Sequence, residues 1–301
     1  MRAIDGVWPL PSGASRLPDM TEASPTHTTP ATLHAWHAGL ARAMASVAEP
    51  TFCERLAEAL ASLVPIESVL LGLECKGLPP RPLYQRGIPA EYREALIERY
   101  YARGYMLDPF CLALENGLAE GFYHLSEIAP DDFFNSEYYR TYYLKCGSVE
   151  DAHFIVDLGG QRKVSLCVYQ GRSGARFSTT ELDLLRAVQP LVHELIRQFD
   201  ERGGLIRCLD GHGPSTLRTA APAALNQQIR EAFMNFGNDR LTEREREIAH
   251  LLLRGHSAKS SAKVLEISPE TVRMHRKNLY TKLEISSQAE LFALFIDWLT
   301  A

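Results

Sequence analysis

The chain has 301 residues, of which 46% are hydrophobic and 23% charged, with a net charge of −5. That is room for about two domains of roughly 150 residues, each able to bury a core. Apolar runs such as Val69-Leu70-Leu71 and Leu251-Leu252-Leu253 fall far short of the ~20 residues that span a bilayer. The first residues lack the apolar stretch of a secretory signal, so no membrane partner and a cytoplasmic address are expected. The six cysteines are scattered, with no CxxC pair, which argues against a zinc site and a secreted disulfide scaffold. Neither metal nor cofactor is expected, and no nucleophile–base motif or phosphate loop suggests an enzyme.

Residues 1–30, rich in Pro, Ser and Thr without apolar periodicity, read as a disordered lead-in. Helices are predicted from about Ala31 to Val47 and from about Thr51, where Phe52, Leu56, Leu60 and Leu63 recur at helical spacing. Ser68–Cys75 reads as a buried strand, followed by a turn at Gly77-Leu78-Pro79-Pro80 and a partner strand at Leu83–Arg86. A helix is expected from Pro89 to Tyr101, and a short one opened by Asp108-Pro109. Gly121–His124 reads as an edge strand, and Phe133–Leu144 as one aromatic helix. Ala152–Leu158 and Val164–Tyr169 flank Gly159-Gly160 as a hairpin. A long helix runs to about Phe199, capped by either Ser178 with Glu181 or Thr180 with Asp183. The expected class is therefore α+β, an αβα sandwich over residues 31–200. Residues 201–238, with Gly203-Gly204, Gly211, Gly213-Pro214 and Pro222, read as a linker that can contain a helix from Ala223 to Phe236.

From residue 239 onward the pattern is all-α. Thr242 with Glu245 forms a capping box, Ile248, Leu251 and Leu252 make an inner stripe, and Gly255 stops the helix. Ser257 starts a second helix. Ser268 followed by Pro269 starts a third. On that helix Val272, Leu279 and Leu283 share one face, while Glu270, Arg273, Met274, Lys277 and Thr281 lie opposite. From Arg240 on there are ten Lys/Arg against eight Asp/Glu, a net +2, against −7 for the preceding 239 residues. A local basic stripe governs phosphate binding more than the average charge. Long basic side chains suit guanine edges or phosphates, and Met274 suits a thymine methyl. The last helix, from Gln288 to Trp298, carries surplus apolar surface around Leu294, Phe295 and Trp298 that suits a second copy of the chain.

Leu241-Thr242-Glu243-Arg244-Glu245-Arg246-Glu247-Ile248, Gly255, Ile267-Ser268, Thr271-Val272-Arg273, His275, Asn278-Leu279-Tyr280 and Lys282-Leu283 together resemble the DNA-binding domain of the LuxR/FixJ family over about 60 residues. The resemblance implies a four-helix helix-turn-helix domain over residues 239–301, a homodimer formed through the last helix, and double-stranded DNA as partner. It places base contacts on Arg273, Met274 and Lys277 and phosphate contacts on Lys259 and Thr271. Ser268, Arg276 and Lys282 complete the candidate DNA-binding set. Where the family often has Lys-Glu-Ile-Ala, this chain has Lys259-Ser260-Ser261-Ala262.

For the N-terminal domain, Tyr100-Tyr101-Ala102-Arg103-Gly104-Tyr105-Met106-Leu107-Asp108-Pro109 resembles the stretch of autoinducer-binding, acyl-homoserine-lactone receptors in which an Asp before Pro accepts the ligand amide. The family's upstream Trp is absent, with Ala95 near its place. The architecture also resembles GAF-like sensors. What this implies is a small-molecule effector bound by Tyr100, Tyr101, Tyr105, Asp108, Tyr123, Tyr139 and Tyr143. Against that stand ordinary readings: tyrosines packed with their hydroxyls at the rim, and Asp108 only capping the helix at Pro109. The alternative function is a ligand-free regulator whose N-terminal domain dimerises or binds a protein partner. A phospho-receiver is disfavoured, because Val156-Asp157-Leu158 resembles a phospho-acceptor but no acidic pair follows the first strand, and Asp157 fits a hairpin.

Overall fold

The computed structural model describes residues 29–93, 97, 100–102, 104–144, 149–171, 173–211, 231, 233 and 235–300. The expected lead-in up to residue 28, and residues 212–230 of the expected linker, lie outside these. In chain order the elements are α1 (Pro30–Ala45), α2 (Phe52–Leu63), β1 (Ser68–Cys75), β2 (Arg81–Arg86), α3 (Pro109–Glu115), β3 (Gly121–His124), β4 (Glu150–Asp157) and β5 (Arg162–Gln170). The long α4 (Thr179–Glu201) and α5 (Gly204–Gly211) follow, then α6 (Glu243–Leu253), α7 (Ala258–Leu265), α8 (Pro269–Leu283) and α9 (Gln288–Thr300).

The five strands form one antiparallel sheet in the order β2-β1-β5-β4-β3. The β4–β5 turn holds Gly159, Gly160 and Gln161 at φ of 74°, 60° and 64°, a left-handed path that two glycines take without steric cost. Asp157 Oδ1 accepts the Gly159 N–H at 2.8 Å, so this carboxylate shapes the hairpin. Strand alternation sends every second side chain to the same face. Val69, Leu71 and Leu73 of β1, Ala152, Phe154 and Val156 of β4, and Val164, Leu166 and Val168 of β5 join α1, α2 and α4 in one core, where Phe52 and Phe199 stack at 4.5 Å. The cap of α4 is the Ser178–Glu181 box.

Helices cover the other face as well, which makes the N-terminal domain an αβα sandwich. The cover there is irregular. The single aromatic helix expected over Phe133–Leu144 is two pieces, a 3-10 turn at Phe133–Asn135 and a π-helical turn at Tyr139–Tyr143. Ser136 between them is extended (ψ 154°) and its hydroxyl accepts the Tyr139 N–H at 3.1 Å. A serine that offers the backbone a local partner favours a cap over a continuous helix. Over the expected Pro89–Tyr101 helix, the described helical pieces are Ala90–Arg93 and Tyr100–Ala102. At the start of the expected linker stands α5, whose Leu205 is buried against the sandwich core.

Helices α6 to α9 enclose Ile248, Leu252, Val272, Leu279, Leu291 and Phe295, joined by Phe233 and Phe236. That core runs without a break into the aromatic layer of the sandwich, through Phe133, Tyr139 and Tyr143.

Candidate DNA-binding helix and sensor cavity

Ser268 caps α8, its hydroxyl accepting the Thr271 N–H at 3.1 Å, and Pro269 fills the first turn. Val272, Leu279 and Leu283 are buried, while Arg273, Met274 and Lys277 are exposed, Met274 at 51%. An apolar side chain that open on the helix face opposite the core has no packing role there. Arg273 leans on Glu270 at 2.9 Å, an exposed pair of little energetic weight. Arg276 and Thr271 are half-buried, and Lys259 is exposed at the start of α7. Lys282 is placed differently from the rest. Its ammonium lies 2.7 Å from the buried Glu245 carboxylate, tying α8 to the capping box of α6. On α9, Leu291, Phe292 and Phe295 pack inward, whereas Leu294 and Trp298 remain exposed, Trp298 at 39%.

The second site lies between the sheet and Tyr100–Cys111. The strand residues out of phase with the helix-side core are Leu70, Gly72 and Glu74 of β1, His153 of β4, and Ser165, Cys167 and Tyr169 of β5. Register puts them in rows: Leu70 opposite Cys167, Cys167 opposite His153, and Gly72 opposite Ser165. With Tyr100, Tyr101, Asp108 and Phe110 they enclose a cavity of about 20 Å³, room for a single water-sized guest, which needs roughly 10–15 Å³.

This face is strongly polar. The His153 ring stacks on Phe110 with centroids 3.5 Å apart, and its nitrogens meet Ser165 Oγ at 2.8 Å and Asp151 Oδ2 at 2.9 Å. Burial pulls this imidazole down, but the Cys167 thiol and the Asp151 carboxylate outweigh it and hold the group well above the ordinary histidine range. Asp108 caps α3 through Oδ1, which accepts the Phe110 and Cys111 N–H groups at 2.7 and 3.2 Å, and its Oδ2 accepts the Tyr100 hydroxyl at 3.1 Å. Burial, then the Asp151 charge, push its carboxyl up to about 6. Glu74 also lines the cavity; burial and then Asp108 push its carboxyl up to about 8, and among the described residues that carboxyl has no hydrogen-bond partner.

Of the seven residues expected to hold a ligand, Tyr100, Tyr101 and Asp108 line this cavity. Tyr105, Tyr123, Tyr139 and Tyr143 are not among its lining. Tyr139 donates to the Val149 carbonyl at 2.7 Å, Tyr143 to Asp151 at 3.4 Å, and Tyr123 to the Ala119 carbonyl at 3.3 Å. Sequence reasoning missed Glu74, His153, Ser165, Cys167 and Tyr169. The signal was the strict alternation of Val164, Leu166 and Val168 with polar or aromatic residues, which ordinarily marks a solvent face and here marks the cavity.

A family model described as bacterial regulatory proteins, luxR family, matches residues 239–295. A protein of Aeromonas salmonicida described as an HTH-type transcriptional regulator in the exeN 3' region is 35% identical over 194 residues, covering 64% of this chain and 94% of that protein. The nitrate/nitrite response regulator protein NarP of Escherichia coli (strain K12) is 42% identical over 78 residues, 24% of this chain and 36% of NarP. Among solved structures, the LBD domain of VqsR from Pseudomonas aeruginosa aligns with a TM-score of 0.49 at 26% identity, covering 56% of this chain and 98% of that one. With the family model on helices α6 to α9 and one relative matched over nearly its whole length, the chain belongs to the LuxR family of bacterial regulatory proteins.

Proposed function

We propose that this transcription regulator reads duplex DNA by placing the outward face of α8 in the major groove, as a homodimer paired through α9. The observation that carries the reading is the exposure of Arg273, Met274 and Lys277 on a helix whose opposite face, Val272, Leu279 and Leu283, is buried. Guanidinium and ammonium groups pair with guanine edges, and a thioether packs on a thymine methyl. Ser268 and Thr271, at the start of α8, and Lys259 are assigned to backbone phosphates. Lys282, engaged by Glu245, is assigned a packing role. In duplexes selected from random DNA, paired half-sites about 10 base pairs apart are expected for a dimer. Arg273→Ala and Lys277→Ala each lose ~1–3 kcal/mol of affinity for the selected duplex if the residue reads a base. Two variants that both bind like the parent overturn this placement.

For the N-terminal domain, the cavity beside Glu74 supports control by a small effector carrying hydrogen-bond donors. In this conformation the cavity holds one water-sized guest, so any organic effector, an acyl chain included, enters only if the cover of Tyr100, Tyr101 and Phe110 moves away from the sheet. A second reading is favoured by Asp108, whose two oxygens are already occupied by the α3 cap and Tyr100: a ligand-free domain that serves dimerisation. Mass spectrometry of small molecules retained by the purified protein separates the two. A retained donor-bearing compound, lost from Glu74→Gln, supports the first reading, and none in either protein supports the second.

A further inference from the structure

Where the sandwich meets the DNA-binding helices, residues 130–134 lie against the turn between α6 and α7. Asp131 sits at the N-terminus of α7. Its Oδ1 accepts the Ser257 N–H at 3.0 Å and the Ser260 hydroxyl at 2.5 Å, and its Oδ2 accepts the Ser257 hydroxyl at 2.6 Å. Next to it the Asp132 N–H donates to the Gly255 carbonyl at 3.0 Å. Gly255 has φ +87°, and a Cβ there would come within 2.7 Å of Phe133 Cα, so the two backbones are in direct contact. Burial alone would push the Asp131 carboxyl up, but the hydrogen bonds from Ser257 and Ser260 outweigh it and hold it below the usual range. The carboxylate is thus held as an anion by a backbone N–H and two hydroxyls.

Helix α7 is the first helix of the helix-turn-helix, the one that crosses the DNA backbone when the second enters the groove. The Lys259 and Ser260 N–H groups are capped by the Ser257 hydroxyl, so the seat consists of the Ser257 N–H with the Ser257 and Ser260 hydroxyls, and the macrodipole at a helix N-terminus favours an anion there. We propose that Asp131 is an internal stand-in for a DNA phosphate: docked, it holds the seat that a backbone phosphate takes when α8 enters the groove, so that interdomain docking and operator binding exclude one another. This rests on the DNA-reading role of α8 given above. The outward face of α8 stays open in the docked arrangement, so docking withholds the backbone anchor and leaves the base-reading surface exposed. The same loop touches the sensor cavity at one remove. The Phe133 ring packs edge-on against Tyr143 at 5.6 Å, Tyr143 donates to Asp151, and Asp151 holds His153 in the cavity wall.

The test uses the full chain as wild type, Asp131→Asn and Asp131→Ala. Fluorescence anisotropy measures binding to a duplex selected from random DNA by the wild type, and small-angle scattering measures the free proteins. Asp131→Asn keeps the side chain's size, and thermal melting reports whether each variant is folded. Both variants should bind about tenfold more tightly, a usual size for coupling between sites, and should be more extended when free. Unchanged or weaker binding by two folded variants, with the wild type binding normally, overturns the proposal. If the wild type itself binds no duplex, the DNA-reading role of α8 fails and this proposal goes with it; the wild type's own affinity distinguishes the two failures.

Discussion

On the helix side of the sheet, β1, β4 and β5 present Val69, Leu71, Leu73, Phe154, Val156, Leu166 and Val168. One residue out of phase, the same strands present Glu74, Asp151, His153, Ser165 and Cys167 beneath Tyr100, Tyr101 and Phe110. Asp151, His153, Ser165 and Cys167 are buried like the apolar face, with Glu74 half-buried, so the two faces differ in energetics more than in burial. The first stabilises by removing apolar area from water, at about 25 cal/mol per Å². The second buries carboxylates and an imidazole, which is costly unless each charge is paired. A domain whose only task was to be stable gains nothing from the second face. The difference places any sensing chemistry on the polar face and the resistance to unfolding on the apolar one.

The largest expected effect comes from the apolar face. Phe154, fully buried and packed on Phe122 at 4.8 Å, should cost about 3–5 kcal/mol of stability as Phe154→Ala, read as a lower urea midpoint. A loss under about 1 kcal/mol would mean that this face is not the stabilising one.

Next is the buried pair on the polar face. Asp151→Asn removes the charge opposite His153 and should cost about 3 kcal/mol, as expected when one partner of a buried pair is lost. Asp151→Asn combined with His153→Gln should recover part of that loss in a double-mutant cycle. Additive losses would show that the two side chains do not stabilise each other.

The smallest effect has the opposite sign. Burial raises the Glu74 carboxyl from the ordinary 4.5 to about 8, so the folded protein holds this proton more tightly than the unfolded chain does. Its contribution is full below the unfolded value, is lost as pH rises from about 4.5 to about 8, and is flat above that. Glu74→Gln should therefore flatten the slope of stability in that window and be more stable than wild type at pH 8, by on the order of 2 kcal/mol. Parallel wild-type and variant profiles between pH 5 and 8 would show that Glu74 is paired or solvated in solution.

The sequence resolved the two regions unevenly, for physical reasons. In α6 to α8, Thr242 with Glu245, Ser257 and Ser268 with Pro269 each appear as helix caps, because capping is a local interaction written within four residues. The bounds of β1 and β3 were also legible, since period-2 apolar patterning and flanking turns are local too. The polar face was not. Glu74 and Ser165 come to line one cavity only through the β1–β5 register, about ninety positions apart in the chain, and nothing near either residue shows that a layer of tyrosines will close over them. The aromatic segment misled for a related reason: Tyr138, Tyr139, Tyr142 and Tyr143 recur at helical spacing, but Ser136, ahead of them, offers the backbone its own partner and cuts Phe133–Asn135 off from the turn that holds them.

β5 lies between β1 and β4, hydrogen-bonded to both along nearly its whole length, although it is the last strand of the sheet to be synthesised. Until residue 170 has left the ribosome, β1 with β2 and β4 with β3 are two separate hairpins with open edges. Non-local pairing of this kind is slow to form, and unpaired strand edges are prone to associate with other chains. At about 5–20 residues per second, the nascent sandwich waits several seconds between the emergence of β1 and the arrival of the strand that completes it. The helical bundle of α6 to α9, built from neighbours in the chain, has no such wait. In the cell, the sandwich domain of this regulator is therefore the part whose yield depends on synthesis speed and on chaperones.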